Sequence, residues 1–286
     1  MSSRNQRIGQ ITRPGSKPQN FNITDRVVPV LTEAERAAGI GWVNGDYAPG
    51  DVRRYGAVGD GSTDDSGSVS DWLSVGLQGV ELIHPGGNVK ITSWSQASIT
   101  DDIVIRGYGD AKITGTTSID FIKPEGGRIR VDNVEFDSWR SIVKNAVADS
   151  GTTPSLEFTS CTFRNCSANG IDHERPIDRF VLQNVRMFGM SNYAVRIGRN
   201  IYGEQDNWKN FVIDNVYIED STATGSTDAA GMLLYGRDAQ ISNLHIGTIT
   251  SASGAGWGLY TKVRYAQISN ILIEDISTTS VTVITA

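Results

Sequence analysis

The sequence predicts an all-β fold, a right-handed single-stranded parallel β-helix, and three observations in its 286 residues predict it. One strand-bend-strand pattern recurs six times, its bend residues fall at a near-constant interval, and a weaker third-strand repeat follows each bend. A fixed period of about 20 to 50 residues marks a solenoid, in which each unit buries its apolar side only against its neighbours.

The six segments are 129–136, 156–163, 180–187, 211–218, 239–246 and 266–273, each two short alternating strands around one Asn or Ser. The bend residues are Asn133, Ser160, Asn184, Asn215, Asn243 and Asn270, spaced 27, 24, 31, 28 and 27 residues apart. Asn suits the bend because it adopts the left-handed conformation at low cost. Stacked coils bring these side chains together, so a buried asparagine ladder is expected, in which each amide donates to one neighbour and accepts from the other. Alternation predicts one inward column of Val134, Cys161, Val185, Val216, Leu244 and Ile271, and another of Phe136, Phe163, Met187, Ile218, Ile246 and Ile273. Cys161 and Cys166 are then small core hydrophobes, and no further Cys or His cluster completes a metal site.

The third strands are read at 170–175, 194–199, 231–237 and 258–262. Their alternation places Ile171, Val195, Met232 and Leu259 inside. It places Asp172, Arg196, Leu233 and Tyr260 in one solvent-facing column, with Glu174, Gly198, Tyr235 and Lys262 in the next. His173 points inward and reads as a core histidine with its polar atoms satisfied, while His84 and His245 have no evident partners.

Composition narrows the partners. A net charge of -6 argues against nucleic acid, whose recognition needs a dominant basic face. No run of about 18 apolar residues is present, so no membrane insertion is expected. The opening residues also lack the apolar stretch of a signal peptide.

Residues 1–50 read as a linker or attachment segment interrupted by Pro14, Pro18 and Pro29, with a short helix at 31–38 that Thr32, Glu33 and Glu35 would start. Residues 51–92 hold a second helix, with apolar positions Val69, Trp72, Leu73 and Leu77 and a cap at Thr63 or Asp64, followed by the first strands. The coils occupy 93–286 and, ending just past the sixth Asn bend, are expected to be incomplete.

The run Tyr55-Gly-Ala-Val-Gly-Asp-Gly-Ser-Thr-Asp-Asp-Ser66, then a helix, then Ile83-His-Pro-Gly-Gly-Asn-Val-Lys-Ile91, resembles the opening of pectate-lyase-like β-helix proteins, most of all phage tailspikes and capsule depolymerases. The resemblance implies that the helix plugs the first coil and that Asp60, Asp64 and Asp65 have structural work. It also implies a homotrimer in the phage virion, assembled in the host cytoplasm. Its ligand would be a bacterial surface polysaccharide, and its N-terminal segment would attach to other tail or baseplate proteins.

Loops vary in length on both sides of the third strand, at 199–209, 221–230 and 250–256, and function on a rigid scaffold usually lives on such loops. The expected catalytic pair is Asp172 and Glu174, two residues apart on one strand face and hence about 6.5 to 7 Å between α-carbons. Glu204 and Asp206 are substitutes. Arg196, Arg199, Tyr235, Arg237, Tyr260 and Lys262 are the expected substrate-binding residues, since guanidinium and ammonium groups pair with sugar carboxylates and aromatic faces stack on sugar rings. If the reaction were β-elimination, Arg196 or Arg199 would neutralise the carboxylate, Tyr235 would donate a proton and Lys262 would act as base. No cofactor is implied, and the calcium-binding Asp triplet of pectate lyases is not visible. The expected function is binding and depolymerisation of a surface polysaccharide by hydrolysis or elimination, with a non-catalytic receptor-binding or structural spike as the alternative.

Overall fold

In the computed structural model, which describes residues 30–145, 152–198, 207–223, 228–252 and 254–278, the repeat pairs with itself in parallel. The chain divides into two units, Met1–Val30 and Leu31–Ala286, and the second holds an all-β parallel solenoid of about seven turns. Residues 31–50, expected as linker, therefore belong to the same unit as the coils, while 1–29 lie outside the described residues.

Helix α1, Glu33–Ala38, starts in a capping box: Thr32 accepts from the Glu35 amide, and the Glu35 carboxylate accepts from the Thr32 amide. Gly39, at φ 69°, closes it. Glu35 is fully buried, and its two oxygens accept from Arg54 Nε and Nη2 at 2.5 and 3.1 Å. This pair ties α1 to the 3₁₀ turn Val52–Tyr55.

Helix α2, Ser66–Gly76, buries Val69, Trp72, Leu73 and Val75. The Trp72 indole donates to the Gly50 carbonyl at 2.6 Å, and its ring meets His84 edge-on at 6.5 Å. A Cβ on Gly76 would come within 2.6 Å of Leu82, so the helix lies directly on the first coil. The three acidic residues before it organise the turn. Asp65 accepts from the amides of Val58 and Gly59, Asp60 from those of Ser62 and Thr63, and Asp64 from those of Ser66 and Thr92. The N-cap position is Asp65, not the expected Thr63 or Asp64, and its side chain makes no cap hydrogen bond because it is drawn back to the preceding loop.

Each coil has three strands, and the inner columns run further than the six segments read from sequence. In the first strands Leu82, Ile105, Val131, Phe158, Leu182, Ile213, Ile241 and Ile268 pair in succession. In the second, Val89, Ile113, Phe136, Phe163, Met187, Ile218, Ile246 and Ile273 do the same. All but the last of each column are sealed from water, and burying one such side chain contributes about 1.5 to 3 kcal/mol. Both cysteines are free, buried members of this core.

The bend residues Asn133, Ser160, Asn184, Asn215, Asn243 and Asn270 all take φ between 50° and 55°. A second corner uses Ser138, Asn165, Gly189 and Asp220, and a third Asn210, Asp238 and Tyr265, all likewise left-handed. The ladder differs from expectation in two ways. Its side chains are exposed, because the inward places beside the bend are taken by the apolar columns. It is also interrupted. Asn215 Nδ2 donates to Asn184 Oδ1 at 2.7 Å and Asn270 to Asn243 at 3.1 Å, but Asn243 turns to Asp214 and Asn133 to the Gly107 carbonyl.

Candidate functional site on the third-strand face

The third strands Asn169–His173 and Tyr193–Ile197 pair in register with each other and with the start of the long strand Ala229–Ser251, which in turn pairs with Gly256–Thr278. The expected alternation holds from Val195 onward but breaks before it. Ala194 and Val195 are consecutive and both belong to the main core. The position preceding them, occupied by Tyr193, Ala230 and Trp257 in successive coils, is thereby turned outward. Tyr193, Trp257 and Tyr260 pack there on Ala230, Leu233 and Tyr235 as a second apolar cluster, separate from the core. Tyr260 lies 5.6 Å from the Tyr235 ring and 5.7 Å from that of Trp257. Strict alternation concealed Tyr193 and Trp257; their recurrence one place ahead of the small residues Ala194 and Gly258 was the available signal.

Beside this platform sits an ion cluster. Asp172 accepts from Arg196 Nε at 2.7 Å and Nη2 at 2.9 Å, from Asn169 at 2.8 Å, and from the Lys144 ammonium. Arg196 Nη2 also reaches Glu174 Oε1 at 2.7 Å, and its guanidinium lies 5.3 Å from the centre of the Tyr193 ring. Burial pulls the Arg196 pKa down, but the Asp172 carboxylate more than restores it, so the side chain is held charged. Burial also pushes the Tyr193 phenol up and the Tyr235 phenol up to about 12, so both keep their O–H through neutral pH.

Several expectations are corrected here. Asp172 and Leu233 do not face solvent: their exposures are 0% and 4%, because the neighbouring coils' long side chains close over them. With both carboxylate oxygens engaged by cations and an amide, Asp172 is placed to position Arg196 rather than to touch a ligand. Arg196 is in turn occupied by two carboxylates. Tyr235 is 9% exposed, its ring forming part of the platform floor. Arg237 is not brought to the cluster and approaches Asp238 at 3.7 Å, while Lys262 is exposed in register with Tyr235. Arg199, Glu204 and Asp206 lie outside the described residues. His173 is inward and fully buried, but neither ring nitrogen has a hydrogen-bond partner among the described residues, so the expected satisfied histidine is not seen. His84 and His245, by contrast, have neighbours. His84 Nε2 lies 2.9 Å from the Lys112 carbonyl, and His245 stands 3.0 Å from Glu274 and edge-on to Tyr217.

Glu174, Tyr193, Arg196, Asp228, Leu233, Tyr235 and Trp257 line, with Gly198, an open pocket of about 250 Å³. Lys144, Asn169, Tyr193, Asp228 and Trp257 were not singled out from sequence. No group of three or more His, Cys, Asp or Glu among the described residues is arranged to hold a metal ion.

No protein-family model matches this sequence, and no curated protein matches it. Among solved structures it is similar to ORF18 of Geobacillus virus E2, at 14% identity and a TM-score of 0.36, over 81% of this chain and 61% of that one. This chain thus spans less than two thirds of the viral protein's length. It is also similar to the A-module of the mannuronan C-5 epimerase AlgE6 of Azotobacter vinelandii, at 12% identity and a TM-score of 0.32, over 78% and 79% of the two chains. A third similarity is to PfbA, a surface adhesin of Streptococcus pneumoniae, at 12% identity and a TM-score of 0.22, over 82% and 93%.

Proposed function

We propose that this chain is a tailspike-type β-helix whose third-strand face binds a bacterial surface polysaccharide, capsule or O-antigen. One observation carries the reading: an outward aromatic platform of Tyr193, Tyr235, Trp257 and Tyr260, apart from the core, borders a pocket edged by the Arg196 ion cluster. Partly covered aromatic rings with polar tips suit sugar rings, which present apolar C–H faces and polar edges. The buried Asp172 and the partly buried Lys144 supply rigidity, holding Arg196 where its remaining edge and the Glu174 carboxylate border the pocket.

Depolymerisation is the second reading, and a specific observation favours it: Glu174 and Asp228, two carboxylates, line the same pocket. Hydrolysis of a glycosidic bond needs such a pair, one as acid and one as base or nucleophile. This pair replaces Asp172 and Glu174, since Asp172 is sealed. On the family resemblance the spike is a homotrimer in the virion, attached through its N-terminal segment to other tail or baseplate proteins; light scattering tests the trimer.

The deciding experiment is incubation with a panel of purified capsular and O-antigen polysaccharides, following binding, fragment size and absorbance from unsaturated sugars. Binding by the parent and its loss in Trp257→Ala and Tyr260→Ala are expected. Fragments without unsaturated-sugar absorbance that disappear in Glu174→Gln and Asp228→Asn would support hydrolysis by this pair, whereas fragments with that absorbance mean a lyase. Binding unchanged in both aromatic variants would remove the third-strand face from consideration.

A further inference from the structure

The outward residues of the second strands form axial rows, in which Arg186 pairs in register with Tyr217, Tyr217 with His245, and Phe188 with Glu219. Between these rows and the Asn corner lies a pocket of about 560 Å³ lined by Asn184, Arg186, Phe188, Asn215, Tyr217 and Glu219. It shares no residue with the third-strand pocket.

Three features separate this pocket from the rest of the same sheet face. The first is charge pairing. Lys112 is matched to Glu135 and Asp137 at 3.0 and 2.7 Å, and Arg164 to Glu135 at 3.2 Å. Arg186 and Glu219, in contrast, enter no ion pair among the described residues. The second is the interrupted ladder. Asn184 and Asn215 form an isolated rung, because Asn243 donates to Asp214 instead of Asn215 and Ser160 stands where the next amide below Asn184 would be. The Nδ2 group of Asn184 and the side-chain carbonyl oxygen of Asn215 are thus left without a side-chain partner among the described residues. The third is aromatic. The Phe188 and Tyr217 rings are half-buried, 6.0 Å apart and tilted by 51°, with Arg164 held 4.6 Å from the centre of the Phe188 ring.

We infer that this pocket is a second binding site, for an uncharged, hydroxyl-rich sugar residue. Its polar groups comprise an amide donor, an amide acceptor, a guanidinium, a carboxylate and the Tyr217 hydroxyl beside that carboxylate. Neighbouring hydroxyls, each able to donate and accept, satisfy that set. One cation and one anion cancel, so the lining favours neither a uronic acid nor an amino sugar. The Tyr217 and Phe188 rings supply the apolar surface that a pyranose C–H face needs. The site stands on its own groups and does not depend on the third-strand face.

The test is ligand-observed saturation-transfer NMR on the full chain, with maltotriose, cellotriose and mannotriose as neutral probes. Parent protein is compared with Tyr217→Ala, Glu219→Gln and Trp257→Ala. At least one probe is expected to bind the parent. Its affinity should fall about tenfold in Tyr217→Ala and in Glu219→Gln, the effect of losing a stacking face or a charge-assisted hydrogen bond, and stay unchanged in Trp257→Ala. Glu219→Gln is a surface change that preserves shape, so it reports on binding even if Tyr217→Ala melts early. Absence of binding by all three probes, or affinity unchanged in Glu219→Gln, overturns the inference. Weakening in Trp257→Ala alone also overturns it, since the sugar would then sit on the third-strand face, and the proposed function would stand.

Discussion

At the residue scale, the two decisive side chains are ones whose chemistry the sequence reveals but whose surroundings it does not. Asn215 recurs at a bend, and the period alone marks it. What fixes it there is its φ of 52°, since its amide is exposed. Asn215→Ala is expected to cost about 1 to 2 kcal/mol, chiefly because Ala, unlike Asn, has no short polar side chain whose local hydrogen bonding offsets the strain of the left-handed region. Asn215→Gly should recover part of that cost in urea unfolding, because glycine has no such penalty. A glycine variant as unstable as the alanine one would show that the Asn184 hydrogen bond dominates instead. His173 is the second case. Burial lowers its pKa from 6.5 to about 3, so between those values the unfolded chain holds a proton that the folded chain does not. Stability from the neutral ring is full above the unfolded value and is lost as pH falls, by about 2 kcal/mol between pH 7 and pH 5. His84, also lowered by burial, adds in the same direction. Unfolding free energies for His173→Leu should show a shallower pH slope than the parent; an identical slope would mean that the buried ring does not set it.

At the scale of elements, α1 was legible from its N-terminal residues and α2 from its apolar spacing, both local signals, although the cap of α2 was misplaced. Thr32, Glu33 and Glu35 start the helix as their residue types suggested, and the structure adds that Thr32 and Glu35 close a capping box. That Glu35 is simultaneously the buried partner of Arg54 was not legible, because the partner lies 19 residues away, beyond any local pattern. Burial pushes the Glu35 carboxyl up, yet its hydrogen bonds from Arg54 and Thr32 hold it below the usual range. Glu35→Ala leaves Arg54 buried and unpaired, and is expected to destabilise the chain by about 3 to 5 kcal/mol in urea melts. A loss under about 1 kcal/mol would mean that water reaches Arg54. The first two coils escaped the repeat for a related reason. Their bend position holds His84 and Gly107 in place of Asn, and a Cβ at Gly107 would fall 1.9 Å from the Asn133 carbonyl oxygen. Close approach, not repeat identity, selects glycine there.

At the scale of the whole molecule, stability is a sum of coil-to-coil contacts, so protection should vary along the axis. The first coil is covered by α2, whereas the described part of the last leaves Tyr265, Ile268, Leu272 and Ile273 at 80%, 46%, 52% and 36% exposure. Hydrogen exchange is therefore expected to be slowest in the central strands Phe180–Met190 and Lys209–Ala223 and fastest in the second half of Gly256–Thr278. Protection in that last coil equal to the centre would show that something covers it in solution.

By itself the sequence determined the solenoid, its period, the inner columns and the face on which chemistry changes from coil to coil. Each of these follows from alternation and recurrence, which are properties of the chain order. Only the tertiary structure decided which outward residues are covered, which charges neutralise one another, and that Tyr193 and Trp257 turn outward. Those outcomes depend on one coil lying over the next. Asp172 is sealed by side chains from strands 28 residues before it and 24 after it, a distance across which the sequence carries no visible pattern.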